Sequence, residues 1–194
     1  MIKGLRFTKF KGGPGDPGSG HHGHAGRPGY VGGSVASYSS VGNLADAKAF
    51  VKDSSFKEPL YRGISSSAAE KANENGLGTS RAAHAGLSGV FLTPDRDFAQ
   101  DYARDYKKGG VVTAYANVKN VYHIKGNDFS AVVDDLGGPA KASALISKHG
   151  GLANYLQSKG HDAAWIPSPE PGKMEFIVFN PANVMLILGS WEGR

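Results

Sequence analysis

Three short segments carry the side chains best able to do chemistry together: LYRG at 60–63, GVFLTPDRDFAQDY at 89–102 and KMEFIVF at 173–179. Glu175 stands in an otherwise apolar run, where a carboxylate costs free energy unless it is exposed on one face or paired. Arg62 offers a guanidinium fork, the shape that matches phosphate and ribose oxygens. Gly63, next to it, leaves room for close approach to the backbone. Phe91 and Tyr102 add flat aromatic faces. Each residue also has a plainer reading: Phe91 as core, Gly63 as a turn, Arg62 in a surface ion pair, Glu175 as the solvent-facing position of an alternating strand. Other chemistries lack their signatures. There is no Walker loop, no GxGxxG after a strand and no GxSxG. His84, His123, His149 and His161 are scattered without metal-ligand spacing, so no metal site is expected. His161-Asp162 reads as a helix-to-strand turn, and Asp134-Asp135, followed by Gly-Gly-Pro, as a loop.

The elements that must position these residues are short and irregularly ordered. Asn43 suits an N-cap for a helix over 44–51, with Leu44, Ala47 and Val51 on one face. Residues 58–63 read as a strand ending at Gly63. Residues 65–75 read as a helix with serine caps, stopped by Gly76. A strand at 89–93 leads to a helix over 95–107, opened by Pro94 in its first turn with two aspartates beside it. The β-branched run 111–118 is a strand, continued or followed by 121–124. Residues 140–149 and 151–158 form two helices, and 163–167 a strand. The apolar runs 174–179 and 184–188 read as a strand pair joined by Asn180-Pro-Ala-Asn. Such interleaving predicts an α+β fold rather than a doubly wound sheet.

The chain of 194 residues is long enough for one domain plus extra chain. It contains no cysteine, which excludes disulfides and thiolate metal sites. The start, MIKGLRFTKF, has neither the apolar stretch nor the cleavage site of a signal peptide. Its 28 glycines are about twice the usual ~7% share, and the surplus is concentrated at 11–34. That segment, rich in Gly, Pro and His, cannot bury enough surface to offset its ordering entropy, so it is expected to be a disordered linker. His21, His22 and His24 lie in it with nothing nearby to fix their geometry. Of the net charge of +5, residues 1–43 supply +4, through Lys3, Arg6, Lys9, Lys11 and Arg27 against Asp16. The expected organisation is a basic flexible arm over 1–40 and a folded domain over 41–194. A basic arm of this kind either touches an acidic surface such as nucleic acid or merely solubilises the chain.

Taken jointly and in order, the three segments resemble the ADP-ribosyltransferase fold, especially its poly(ADP-ribose) polymerase-like and phage or polyvalent-protein branches. In that family a first strand ends in His-Gly or Arg-Gly, here Arg62-Gly63. A middle block runs Gly-hydrophobic-aromatic-hydrophobic into a helix ending in tyrosine, here Gly89, Phe91 and Tyr102. A late strand begins with glutamate, here Glu175-Phe-Ile-Val-Phe179. GHDAAWI at 160–166 is similar to another family segment, with Ala163 where glycine is common. The likeness covers roughly residues 56–188 and implies a split, mixed β-sheet core flanked by short helices.

The resemblance implies an enzyme that binds NAD as substrate, releases nicotinamide and transfers ADP-ribose to a macromolecule. The bond between nicotinamide and ribose breaks through an oxocarbenium-like state, as in glycoside hydrolysis. By resemblance Glu175 is the catalytic carboxylate, holding the ribose 2′-OH. Phe91 and Tyr102 sandwich the nicotinamide ring, Gly63 meets the carboxamide and Arg62 the phosphate or ribose side. Thr93 is a remnant of a Ser-Thr-Ser motif and a lesser candidate for NAD binding. Tyr61 and Phe179 are read as core neighbours of Arg62 and Glu175. Two departures matter. Lys173 stands where arginine-modifying relatives have a second Glu or Gln, which argues against arginine as acceptor. Ala99 replaces a serine that often bonds the carboxamide. The glycine-rich arm resembles linkers of phage head-associated proteins, implying a phage product in the host cytoplasm or carried in a virion, with no membrane partner. The acceptor is expected to be protein, with nucleic acid as an alternative through the basic arm. A non-catalytic virion module that retains the fold is the further alternative.

Overall fold

The computed structural model describes residues 38–81, 87–123, 130–168 and 172–193. The sequence-level readings for 1–37, including the histidine cluster and most of the basic arm, lie outside them, as does His84. The elements run β1 (Ser40–Gly42), α1 (Leu44–Phe50), β2 (Leu60–Ser65), α2 (Ser66–Asn75), β3 (Ser80–Arg81), β4 (Ser88–Leu92), α3 (Arg96–Arg104) and β5 (Gly109–Ala116). Then follow β6 (Val121–His123), α4 (Ser130–Asp135), α5 (Pro139–His149), α6 (Leu152–Ser158), β7 (Ala163–Pro167), β8 (Met174–Val178), a 3₁₀ turn (Pro181–Asn183), β9 (Val184–Ile187) and β10 (Glu192–Gly193). The fold is α+β with two mixed sheets, as the element pattern predicted.

Local chemistry explains most boundaries. The Asn43 side chain accepts from the N–H groups of Ala45 and Asp46 while the Asp46 carboxylate accepts from the Asn43 N–H, a reciprocal capping box at α1. The Ser65 hydroxyl caps α2, and Gly76 ends it at φ 82°. Three of the local expectations need correction. Pro94 precedes the N-cap of α3 instead of occupying its first turn; the cap is Asp95, whose carboxylate accepts from the Phe98 N–H at 3.0 Å. Asp134 and Asp135 complete α4, and the turn proper is at Gly137 and Gly138, both with positive φ. β2 does not stop at Gly63 but continues to Ser65, fully paired with β5.

In the first sheet β5 is central. β2 lies antiparallel on one of its edges, and β9 and β10 share the other, with β1 parallel to β9 outside. The second sheet has the order β3-β4-β8-β7-β6. β8 and β9 therefore belong to different sheets, and the 3₁₀ turn between them is a crossover where a hairpin was expected. Alternation buries Leu60, Ile64, Val112, Ala114 and Leu186 of the first sheet against Val90, Leu92, Phe176 and Val178 of the second, forming the main core. α1 covers part of the outer face of the first sheet, against Tyr115. Residues of α5 and α6 cover the outer face of the second, against Ala164, Ile166 and Ile177. Among the described residues no helix is long and apolar enough to cross a membrane.

Candidate functional site

Among the described residues, one isolated backbone bridge links the edge strand of the first sheet to the end of β4 in the second. The Tyr61 N–H donates to the Thr93 carbonyl at 2.7 Å, and the Thr93 N–H donates back to the Tyr61 carbonyl at 2.9 Å. Beyond this pair β2 follows β5 and parts from β4. Because Tyr61 turns its N–H and C=O toward β4, antiparallel alternation turns those of Arg62 toward β5 and those of Gly63 toward the opening between the sheets.

Helix α3 lies directly over β2 at this point, and only small residues allow it. A Cβ on Gly63 would be 2.1 Å from the Ala99 carbonyl oxygen and 3.0 Å from the Tyr102 Cβ. One on Gly109 would meet the Ala103 carbonyl oxygen at 1.8 Å. Ala99 and Ala103 are themselves buried against Tyr61 and Val111. Gly63 thus serves close helix–strand packing, whatever its exposed backbone edge meets. With Ala99 and Ala103 facing the strands, Tyr102 projects sideways and is 43% exposed. Its hydroxyl donates to Glu175 Oε1 at 3.0 Å. Its ring meets Phe98 edge-on, centroids 5.0 Å apart.

Glu175 reaches this place through strand register. Phe91 pairs with Ile177 and Leu92 with Phe176, so Phe91, Ile177 and Glu175 share the outer face of the second sheet. Phe91 is half-buried against the cluster containing Leu87 and Ile166. Thr93 is buried, and its hydroxyl is engaged twice within the protein: it donates to the Met174 carbonyl at 3.0 Å and accepts from the Asp95 N–H at 3.1 Å. It binds the end of β4 to β8 and to the start of α3.

Arg62 leaves the other face of β2, alongside Leu60 and Ile64. It donates to the Gly78 carbonyl at 3.3 Å and to Ser80 Oγ at 2.7 Å. Among the described residues it has no carboxylate partner. Burial pulls its guanidinium below the ordinary arginine value, and neighbouring Tyr106 opposes this. It lines a recess of about 280 Å³ with Tyr38, Lys71, Asn75 and Thr79. The structure therefore brings Gly63, Tyr102, Glu175, Thr93 and Phe91 to the outer side of the junction, and places Arg62 across the edge of β2 from them. Tyr61 and Phe179 are packing residues.

Two residues that sequence reasoning did not assign complete the arrangement. Lys173 Nζ pairs with the Asp95 carboxylate at 2.5 Å and lies 5.8 Å from the centre of the Phe98 ring. The hydrogen bond from Lys173, followed by that from the Phe98 N–H, holds the Asp95 carboxyl below its ordinary range. The residue two before Glu175 thus clamps the N-terminus of α3 to the strand bearing Glu175. Its signal in the sequence was only a cation where the arginine-modifying proteins that the sequence resembles carry Glu or Gln. No family model matches the chain, and no curated protein matches it.

Proposed function

We propose that the chain is an ADP-ribosyltransferase that splits NAD⁺ and passes ADP-ribose to a macromolecule, on the split-sheet scaffold implied by its sequence. The observation that carries this reading is the hydrogen bond from Tyr102 to Glu175, made beside the outward-turned backbone edge of Gly63. A planar amide such as nicotinamide needs a backbone donor and acceptor side by side, and an aromatic face to lie on. Gly63 offers the first and Tyr102 the second, with Phe91 on the same side. The carboxylate at Glu175 faces the ribose, where positive charge develops. The carbon–nitrogen bond breaks with its electron pair going to nicotinamide, and the acceptor nucleophile adds to the same ribose carbon. Glu175 stabilises that cationic state and orients the 2′-OH.

The dinucleotide would cross the open edge of β2, so that its diphosphate end approaches Arg62. A largely desolvated guanidinium whose acceptors among the described residues are neutral is an electrostatic deficit that an anion corrects. The neighbouring recess with Lys71 has the polarity for the ADP portion. The test is nicotinamide release, measured by chromatography on the full chain with lysate as acceptor. Glu175→Gln should lower the rate by about 10²–10³-fold with the melting temperature unchanged. Absence of both NAD⁺ binding and nicotinamide release at millimolar NAD⁺ would overturn the reading, whereas binding without release would favour a non-catalytic module.

A further inference from the structure

A second recess, of about 450 Å³, opens on the opposite face of the second sheet. Trp165 pairs with Phe176 across β7 and β8, one position out of phase with Ile166 and Glu175. The ring cluster at Trp165 therefore points away from the Tyr102–Glu175 pair. Phe56 packs on Trp165 and Phe176, with centroids 5.7 and 5.0 Å away. His123, opposite Trp165 in the β6–β7 register, holds its ring within 20° of the indole plane, centroids 6.4 Å apart. Trp165 is half-buried and His123 exposed. The rim is polar. Lys119 is exposed and in no ion pair among the described residues. Asn120 Nδ2 donates to the Gly160 carbonyl at 3.0 Å, which fixes the amide. The Asp162 carboxylate accepts the Lys119 and Asn120 N–H groups at 2.7 and 3.1 Å and so anchors this rim. Among the described residues no carboxylate side chain lines the recess.

We propose that this recess is a base-stacking site for single-stranded nucleic acid. Flat π surfaces, a held amide and an exposed cation are the components that take a base and its phosphate. The lining, free of carboxylates among the described residues, and the exposed Lys119 favour a polyanion over an aromatic peptide. The site goes beyond the transferase reading and requires no NAD⁺.

The test is a fluorescence-anisotropy titration of the full chain, without NAD⁺, using labelled single-stranded DNA and RNA of roughly 12 nucleotides. Salt is set at about 150 mM so that screening suppresses diffuse attraction. His123→Ala and Trp165→Leu should each weaken binding by about tenfold, the size expected for losing one stacked base. Lys119→Glu should weaken it and flatten the salt dependence by about one counterion. Lys148→Glu, on α5 across the sheet, makes the same charge change and should stay within about twofold, screening having reduced its long-range effect. His123 and Lys119 are exposed, so their variants decide the matter if Trp165→Leu fails to fold. Wild-type affinity in His123→Ala and Lys119→Glu would overturn the proposal. So would displacement of bound oligonucleotide from the His123→Ala variant as readily as from wild type by free AMP, or occupation of the recess by N-acetyltryptophanamide but not by an oligonucleotide.

Discussion

In the proposed reaction Tyr102 divides two tasks between parts of one side chain. Its hydroxyl donates to the Glu175 carboxylate, and its ring would be the surface offered to a flat ligand. The two separate in kinetics. Tyr102→Phe keeps the ring and loses a hydrogen bond to a charged group, an interaction worth about 1.5–3 kcal/mol. Nicotinamide release should fall roughly tenfold or more in kcat with KM little changed. Tyr102→Ala removes both and should raise KM as well. Steady-state kinetics on the pair checks this, and equal KM values for the two variants would remove the ring from the binding role. Arg62 makes the complementary case. Arg62→Lys keeps the charge but loses the planar fork that reaches both Gly78 and Ser80. It should raise KM for NAD⁺ by roughly tenfold while kcat at saturation stays within about threefold, because uniform binding is what it loses.

At the scale of elements, the site depends on how tightly α3 lies on β2. The room for that contact is the missing side chain of Gly63, whose φ is unremarkable and whose requirement is space alone. Gly63→Ala places a methyl against backbone that has no rotamer with which to yield. Overpacking of this sort costs about 1–3 kcal/mol. A melt should show Tm lower by roughly 2–12 °C for a chain of this size, and nicotinamide release should fall because α3 carries Tyr102. The opposite end of the helix titrates. Asp95 is held below its ordinary value by Lys173 and the Phe98 N–H, so it favours the folded state above the unfolded carboxyl range near ~3.9. That contribution fades as pH falls through the depressed folded value. Asp95→Asn retains the cap and loses the ion pair, so urea unfolding should find it less stable than wild type near ~pH 7, with the gap closing toward ~pH 3.

The same helix shows what could be read from sequence. Asn43, Ser65 and Gly76 announce their helix ends because a cap is satisfied within a few residues. Pro94 misleads by two positions: proline is compatible with the residue before a cap as well as the residue after it, and Asp95 is the stronger cap. The pairing of β8 with β9 was illegible, since two apolar runs joined by Asn-Pro-Ala-Asn suit a hairpin and a crossover equally. The choice is made by β4 and β5, far away in the chain. Gly63, Phe91, Tyr102 and Glu175 were singled out by the resemblance of their segments to the ADP-ribosyltransferase pattern. Lys173 was noted only as a departure from it, and its pairing with Asp95 was not foreseen, because the partnership spans 78 residues and joins a cap to a strand.

At the scale of the whole molecule, two sheets meet at the Tyr61–Thr93 pair and diverge on either side of it. A dinucleotide lying across the edge of β2 would touch α3 and β8 at one end and the Arg62 recess, bordered by α2, at the other. Such a ligand binds the folded chain and not the unfolded one, so it must stabilise the fold as a unit. At a hundredfold excess over Kd the gain is about 2.7 kcal/mol, a rise in Tm of roughly 5–11 °C for a chain of this size. Differential scanning fluorimetry with increasing NAD⁺ should show this rise for wild type. Glu175→Gln, which removes charge but little contact, should retain most of it. Arg62→Lys should need about tenfold more NAD⁺ to reach the same Tm, since the shift depends on the ratio of ligand to Kd. ADP-ribose, lacking the nicotinamide, should shift Tm in wild type and Tyr102→Ala by similar amounts, because the ring face lost in that variant serves the nicotinamide. A normal NAD⁺ shift in Arg62→Lys, paired with a lost ADP-ribose shift in Tyr102→Ala, would reverse the assignment of the two ends and place the diphosphate beside Glu175.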